Sequence, residues 1–181
     1  MFFNMNPLIP YSIPVKGLRN GTHSFAFHID RAFFSQFEDT PVTEGKVDVT
    51  LVLDKRPDMF VLDFDFAGTL QTDCDRCLAQ IDLPVADTQR LLVKFSEEEV
   101  VEEADVIYVH PEIQQFNVAT YIYEYIILAM PIIRVYDCRS EVNRPCNEEM
   151  LQYIQQSEAE EEETERNPAW DELKKLNKND N

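Results

Sequence analysis

The stretch KVDVTLVLD (46–54), then RPD, then MFVLDFDFAGTLQT (59–72) constrains the fold more than any other part of the chain. Val47, Val49, Leu51 and Leu53 alternate with polar Asp48 and Thr50. Phe60, Leu62, Phe64 and Phe66 alternate with Asp63 and Asp65. Successive side chains of a strand point to opposite faces, so each segment offers one apolar face and one wet face. Arg56, Pro57 and Asp58 carry turn chemistry between the two. Together they predict an antiparallel hairpin with one dry side, which must be covered.

The remaining segments supply partners for that hairpin. THSFAFHI (22–29) alternates Phe25 and Phe27 against small or polar neighbours and reads as a strand. DRAFFSQF (30–37) reads as a short helix with Asp30 as N-cap. IDLPVADTQRLLVKF (81–95) is extended, and DVIYVHP (105–111) is a short strand. NVATYIYEYIILAM (117–130) reads as a helix that begins at Asn117 and ends before Pro131, with a buried strand as the competing reading. It is apolar on nearly every side except Glu124, which predicts burial across the sheet. CRSEVNRPC (138–146) is a loop, and NEEMLQYIQQ (147–156) starts as a helix before an acidic linker. NPAWDELKKL (167–176) is a short helix with Asn167 as cap, Pro168 in its first turn, and Trp170 and Leu173 on one face for docking. The fold class is α+β: a curved antiparallel sheet of about five or six strands, a packed helix and a C-terminal helical tail. Val49, Leu51, Leu53, Phe60, Leu62, Phe64, Phe66, Ile122 and Ile126 are its expected core.

TDCDRCL (72–78) falls in the bend between two predicted strands. A C-x2-C bend presents two sulfurs on one side of a tight turn, which is half of a tetrahedral zinc site. Cys138 and Cys146 are the other two cysteines, in a second predicted bend, and Cys74, Cys77, Cys138 and Cys146 form the candidate metal set. Four thiolates around Zn²⁺ leave a charge of −2, which calls for nearby cations; Arg76 lies inside the first pair, and Arg134, Arg139 and Arg144 flank or lie inside the second. These arginines either steady the thiolates, form a small phosphate-binding patch, or are scattered surface residues. Two other readings of the cysteines stand beside zinc. A thioredoxin-type redox pair needs a helix N-terminus, and here the flanks are strands. Four reduced thiols without a ligand are the plainest alternative.

The net charge is −18. EEEVVEEAD (97–105) and EAEEEETE (158–165) carry six acids each and no base, which makes them solvated segments or docking surfaces for a basic partner. Broad binding to phosphate backbones is disfavoured, because it needs a cationic surface. YIILAMPII (125–133) falls short of the roughly 20 apolar residues needed to span a bilayer. The N-terminus lacks a basic start and is interrupted by Pro7, Pro10 and Pro14, unlike a secretory signal. A soluble cytoplasmic protein is expected. His23, His28 and His110 have no ligand spacing, no nucleophile–base constellation is readable, and four glycines do not make a phosphate loop. No catalytic residue, enzyme activity or small-molecule substrate is predicted.

The order of these pieces resembles one family. CDRCL after a strand, Glu124, Ile126, Leu128 and Pro131 in YEYIILAMPIIRVYD (123–137), a cysteine-bearing loop, and the terminal NPAWDELKKL are similar to the YceD family, large ribosomal RNA subunit accumulation proteins. The resemblance runs from about residue 20 to 176. It implies a YceD-like domain at 1–156, and an acidic linker with a docking helix at 157–181. It implies a part in large-subunit (23S) ribosomal RNA accumulation, with large-subunit rRNA or ribosomal proteins as partners and no membrane. Cys74, Arg76 and Cys77 match the family's bend most directly; Cys146 matches less closely and Cys138 least. Zinc, read from the thiol spacing, is the expected cofactor, and Arg76, Arg134, Arg139, Arg144 and Trp170 are the RNA- or partner-binding candidates. The alternative is an acidic module or chaperone that binds a basic ribosomal protein without touching RNA.

Overall fold

The computed structural model describes residues 6–97, 106–137 and 145–164. Among the described residues there are seven strands: β1 (Ser12–Ile13), β2 (Gly21–Ile29), β3 (Glu44–Lys55), β4 (Met59–Asp73), β5 (Gln80–Phe95), β6 (Val106–Val109) and β7 (Phe116–Asn117). Three α-helices accompany them: α1 (Arg31–Phe34), α2 (Ala119–Leu128) and α3 (Glu148–Thr164). A curved five-stranded sheet runs β2-β3-β4-β5-β6, and β1 pairs with β7 in a separate two-stranded sheet. The fold is α+β, as the sequence pattern predicts.

The hairpin is β3–β4. Its antiparallel register sets Val49 opposite Phe66, Leu51 opposite Phe64 and Leu53 opposite Leu62. All nine expected core residues are buried. Asp63 receives two hydrogen bonds from Arg90, and Gln71 donates to Asp82. These pairs run in opposite directions along β4 and β5, which makes that junction antiparallel too. Gly68 faces Val47, and a Cβ there would fall on the Lys46 carbonyl oxygen, so only glycine admits this close approach.

The dry face is covered by the N-terminal segment, α1 and α2. Ile13, Val15, Phe33, Phe34, Ile122 and Ile126 join the strand residues in one core. Ring contacts link the layers: Phe64 to Tyr125 at 5.2 Å and Phe60 to Phe116 at 5.3 Å between centroids. Lys55 Nζ donates to the carbonyls of Val15 (2.7 Å) and Leu18 (2.9 Å), which ties the N-terminal segment to the end of β3. The Asp30 carboxylate caps α1 by accepting from the amides of Ala32 and Phe33, as expected. Asn117 Oδ1 accepts from the Ala119 amide at 2.9 Å, although Asn117 itself belongs to β7.

Three expectations are corrected. β6 joins β5 in parallel, Leu92 opposite Val106, so the sheet is antiparallel except at one edge. α2 is buried on one side only: Ile122 and Ile126 are inaccessible while Leu128 is 74% exposed. Its all-round apolar composition therefore does not reflect all-round burial. α3 continues through the glutamate run to Thr164 instead of ending near residue 156. Its start suits a helix: Asn147 Oδ1 accepts from the Met150 amide, and Glu148 and Glu149 complement the positive end of the helix dipole.

The chain forms two compact units. The first contains Met1–Asp73 and Ile81–Arg134; the second contains Cys74–Gln80 and Val135–Asn181. The predicted docking helix at 167–176 lies outside the described residues.

Candidate functional site: a two-sulfur bend

β4 and β5 deliver the C-x2-C bend, because both strands end where the cysteines begin. The Cys74 amide donates to the Ala79 carbonyl at 2.8 Å, and the Leu78 amide donates to the Cys74 carbonyl at 2.9 Å. Leu78 closes the loop in the left-handed region, at φ 57°, which β-carbon-bearing residues enter at a cost. Its side chain is 62% exposed, so no burial of its own offsets that strain.

Both sulfurs face inward. Cys74 and Cys77 are fully buried and are free cysteines. Burial pushes the Cys74 thiol up, since a thiolate is poorly solvated there. Against that, the nearby backbone amides of Tyr136, Cys77 and Arg76 and the Cys77 thiol favour the charged sulfur. These donors outweigh burial and hold Cys74 below the ordinary thiol range.

Tyr136 is the informative donor. It stands two residues before Cys138, in the segment that leads to the second cysteine cluster. Its amide brings that segment into hydrogen-bonding contact with the first cysteine pair. Residues 74–80 and 135–181 accordingly share one compact unit. Cys138 itself lies outside the described residues, as do Arg139, Arg144 and Trp170. Cys146 is half-buried and disulfide-bonded, so its sulfur is not a thiolate in this state. Among the described residues no group of three or more His, Cys, Asp or Glu side chains is gathered as for a metal. What is present fits half of a tetrahedral thiolate site: two adjacent buried sulfurs, one of them supplied with amide donors.

The arginines divide. Arg76 is exposed in the bend. Arg134 is half-buried, and its guanidinium donates to Thr72 Oγ1 at 3.1 Å. Thr72 is fully buried and donates its own hydroxyl to the Pro41 carbonyl at 2.8 Å. Arg134 thus braces the end of β4 and satisfies a buried hydroxyl. Thiolate support is one of three readings of these arginines; at Cys74 it is nearby backbone amides that favour the charged sulfur, and amides leave no trace in residue type.

A family model described as large ribosomal RNA subunit accumulation protein YceD matches residues 62–177, more than half of the 181 residues. The chain belongs to the YceD family. The match opens within β4 and takes in the cysteine bend, α2, Tyr136 and α3. The family's description ties it to accumulation of large-subunit ribosomal RNA. No curated protein and no solved structure matches the chain. Among the described residues no helix is long and apolar enough to cross a membrane.

Proposed function

We propose that this YceD protein promotes accumulation of large-subunit (23S) rRNA as a non-enzymatic assembly factor. Its cysteine-bearing cap is a rigid platform that meets the nascent subunit. The observation that carries the reading is the burial of both sulfurs of the bend in one compact unit with the segment that leads to Cys138, with nearby amides lowering the Cys74 thiol. A neutral thiol gains little from nearby amides, whereas a thiolate gains much. A buried thiolate in turn needs a cation, and Zn²⁺ on Cys74, Cys77, Cys138 and Cys146 is the cofactor proposed. Closure of that set requires the disulfide at Cys146 to be reduced, the ordinary state in a reducing compartment. Zinc supplies stiffness here, and no reaction step is assigned to it.

On this reading Arg76, exposed beside the sulfurs, contacts rRNA phosphates together with Arg139 and Arg144. Arg134 holds the end of β4 in place, and Trp170 anchors the C-terminal segment on a partner. The test is complementation. Cells depleted of the protein are expected to show a lowered ratio of large- to small-subunit rRNA, restored by the wild-type chain and not by Arg76→Glu. Full restoration by Arg76→Glu and by Arg139→Glu/Arg144→Glu would remove RNA contact from the proposal.

The net charge of −18 favours a second reading, a module that holds a basic ribosomal protein without touching RNA. Under it, the arginine-to-glutamate variants lose no binding to the basic protein and no cross-link to rRNA is found with the wild type.

A further inference from the structure

The segment after α2 leaves large aliphatic side chains in water. Leu128 is 74% exposed, Ile132 99% and Ile133 70%, with exposed Pro131 between them. Scattered apolar residues on a surface are ordinary, but neighbouring aliphatics this exposed mark an interaction site. α2 gives its two sides different work. Ile122 and Ile126 enter the core, while Thr120, Glu124 and Leu128 recur every fourth residue on the exposed side. Glu124 therefore stands one turn from Leu128, and among the described residues it makes no ion pair. Arg134, the first base after the strip, donates to Thr72.

We infer that Leu128, Ile132 and Ile133, with Glu124 beside them, form a docking surface for a cationic protein segment that carries aliphatic anchors. The charge argument selects this occupant. Nucleic acid gains little from aliphatic side chains, and its phosphates are repelled by a carboxylate. An anionic membrane surface is repelled by a chain of charge −18 for the same reason. A second copy of the chain carries the same −18 and is disfavoured as a partner for itself. A basic segment matches on both counts: aliphatic groups cover the strip while Lys or Arg meets Glu124. The inference deepens the protein-binding side of the reading above, and relies on family membership only for the choice of probe.

The test places a photocrosslinking phenylalanine analogue at position 132 of the full chain. The probe is RNA-free protein extracted from large ribosomal subunits. The expected product is a cross-link to a strongly basic protein. Binding of that protein, once purified, should fall about tenfold with Glu124→Lys and at least as much with Leu128→Ser/Ile132→Ser/Ile133→Ser. All three aliphatics are exposed, so the melting temperature should stay within about 3 °C of wild type. If the triple variant does not fold, Ile132→Ser alone carries the test, because its side chain touches water almost everywhere. The inference is overturned by unchanged binding in these variants, or by no cross-link at all. It is equally overturned by cross-links confined to residues 165–181 of the same chain, to a second copy, or to rRNA added in place of the protein extract. Because the probe contains no RNA, failure of the rRNA-contact proposal leaves this result readable.

Discussion

Two bends of the same sheet invite comparison. Arg56, Pro57 and Asp58 join β3 to β4, and Cys74–Ala79 join β4 to β5. The first does little beyond connecting; its Asp58 carbonyl also accepts from the Phe95 amide of β5. The Arg56 amide donates to the Met59 carbonyl at 2.8 Å, Arg56 pairs with Asp54 in water, and no side chain of the turn is buried. The second turns the chain equally well but adds features that turning does not require. It buries two sulfurs, surrounds one of them with backbone amides that lower its thiol, and holds a leucine in the left-handed region. A connector gains nothing from burying a thiolate-stabilising nest, since desolvation opposes the charge that the amides favour. The difference makes the second bend the candidate site and leaves the first as a link.

The comparison predicts a graded set of outcomes. Cys74→Ser is expected to abolish metal binding and to destabilise the reduced protein by at least about 3 kcal/mol, because structural metal binding is part of the folding free energy. Arg56→Ala in the other bend should move stability by no more than about 0.5 kcal/mol in the same urea titration, as exposed ion pairs contribute little. Equal effects from the two substitutions would erase the distinction. Gly68→Ala should cost about 1–3 kcal/mol by forcing β3 and β4 apart, while leaving metal content unchanged. That result separates damage to the sheet from damage to the site. Leu78→Gly should stabilise the isolated protein by about 1 kcal/mol by relieving the left-handed leucine, read as a shift in the denaturation midpoint.

A pH effect is the smallest and belongs to the second bend alone. In metal-free, reduced protein the Cys74 thiol ionises below its unfolded value near 9.0. Between the two values the folded state binds fewer protons than the unfolded state. Stability then rises with pH, is fully present above the unfolded value, and is lost as pH falls through the folded one. Cys74→Ser should flatten that slope in denaturation curves taken across the mildly alkaline range.

Much of this architecture is legible in the residues. Alternation fixed by the pleat assigns both faces of β3 and β4 correctly, since a one-residue slip would bury Asp48 and Asp63. Asp30 announces a helix start because its side chain satisfies amides that the helix leaves free, while Asn117, though its side chain accepts the Ala119 amide, stands one residue before the cap of α2. The place of the cysteines between two strands is equally readable. Other features leave no local mark. The parallel entry of β6 depends on where the chain returns, which residue type does not record. Exposure of Leu128, Ile132 and Ile133 runs against their composition, because apolar residues reveal a need for cover without revealing who provides it. The amide of Tyr136 reaches Cys74 through a backbone group that every non-proline residue possesses. Cys138, Arg139, Arg144 and Trp170, all named from sequence, lie outside the described residues.

The cysteine bend is proposed to be a metal half-site completed from the far side of the sequence. The direct measurement is zinc per chain, with a count of reactive thiols, on full-length protein purified reduced and without chelator. About one zinc, with four thiols shielded until the metal is removed, is the predicted result; Cys74→Ser should release it. Protein that contains no zinc, takes up none when reduced, and exposes its thiols regardless of added Zn²⁺ would contradict the claim.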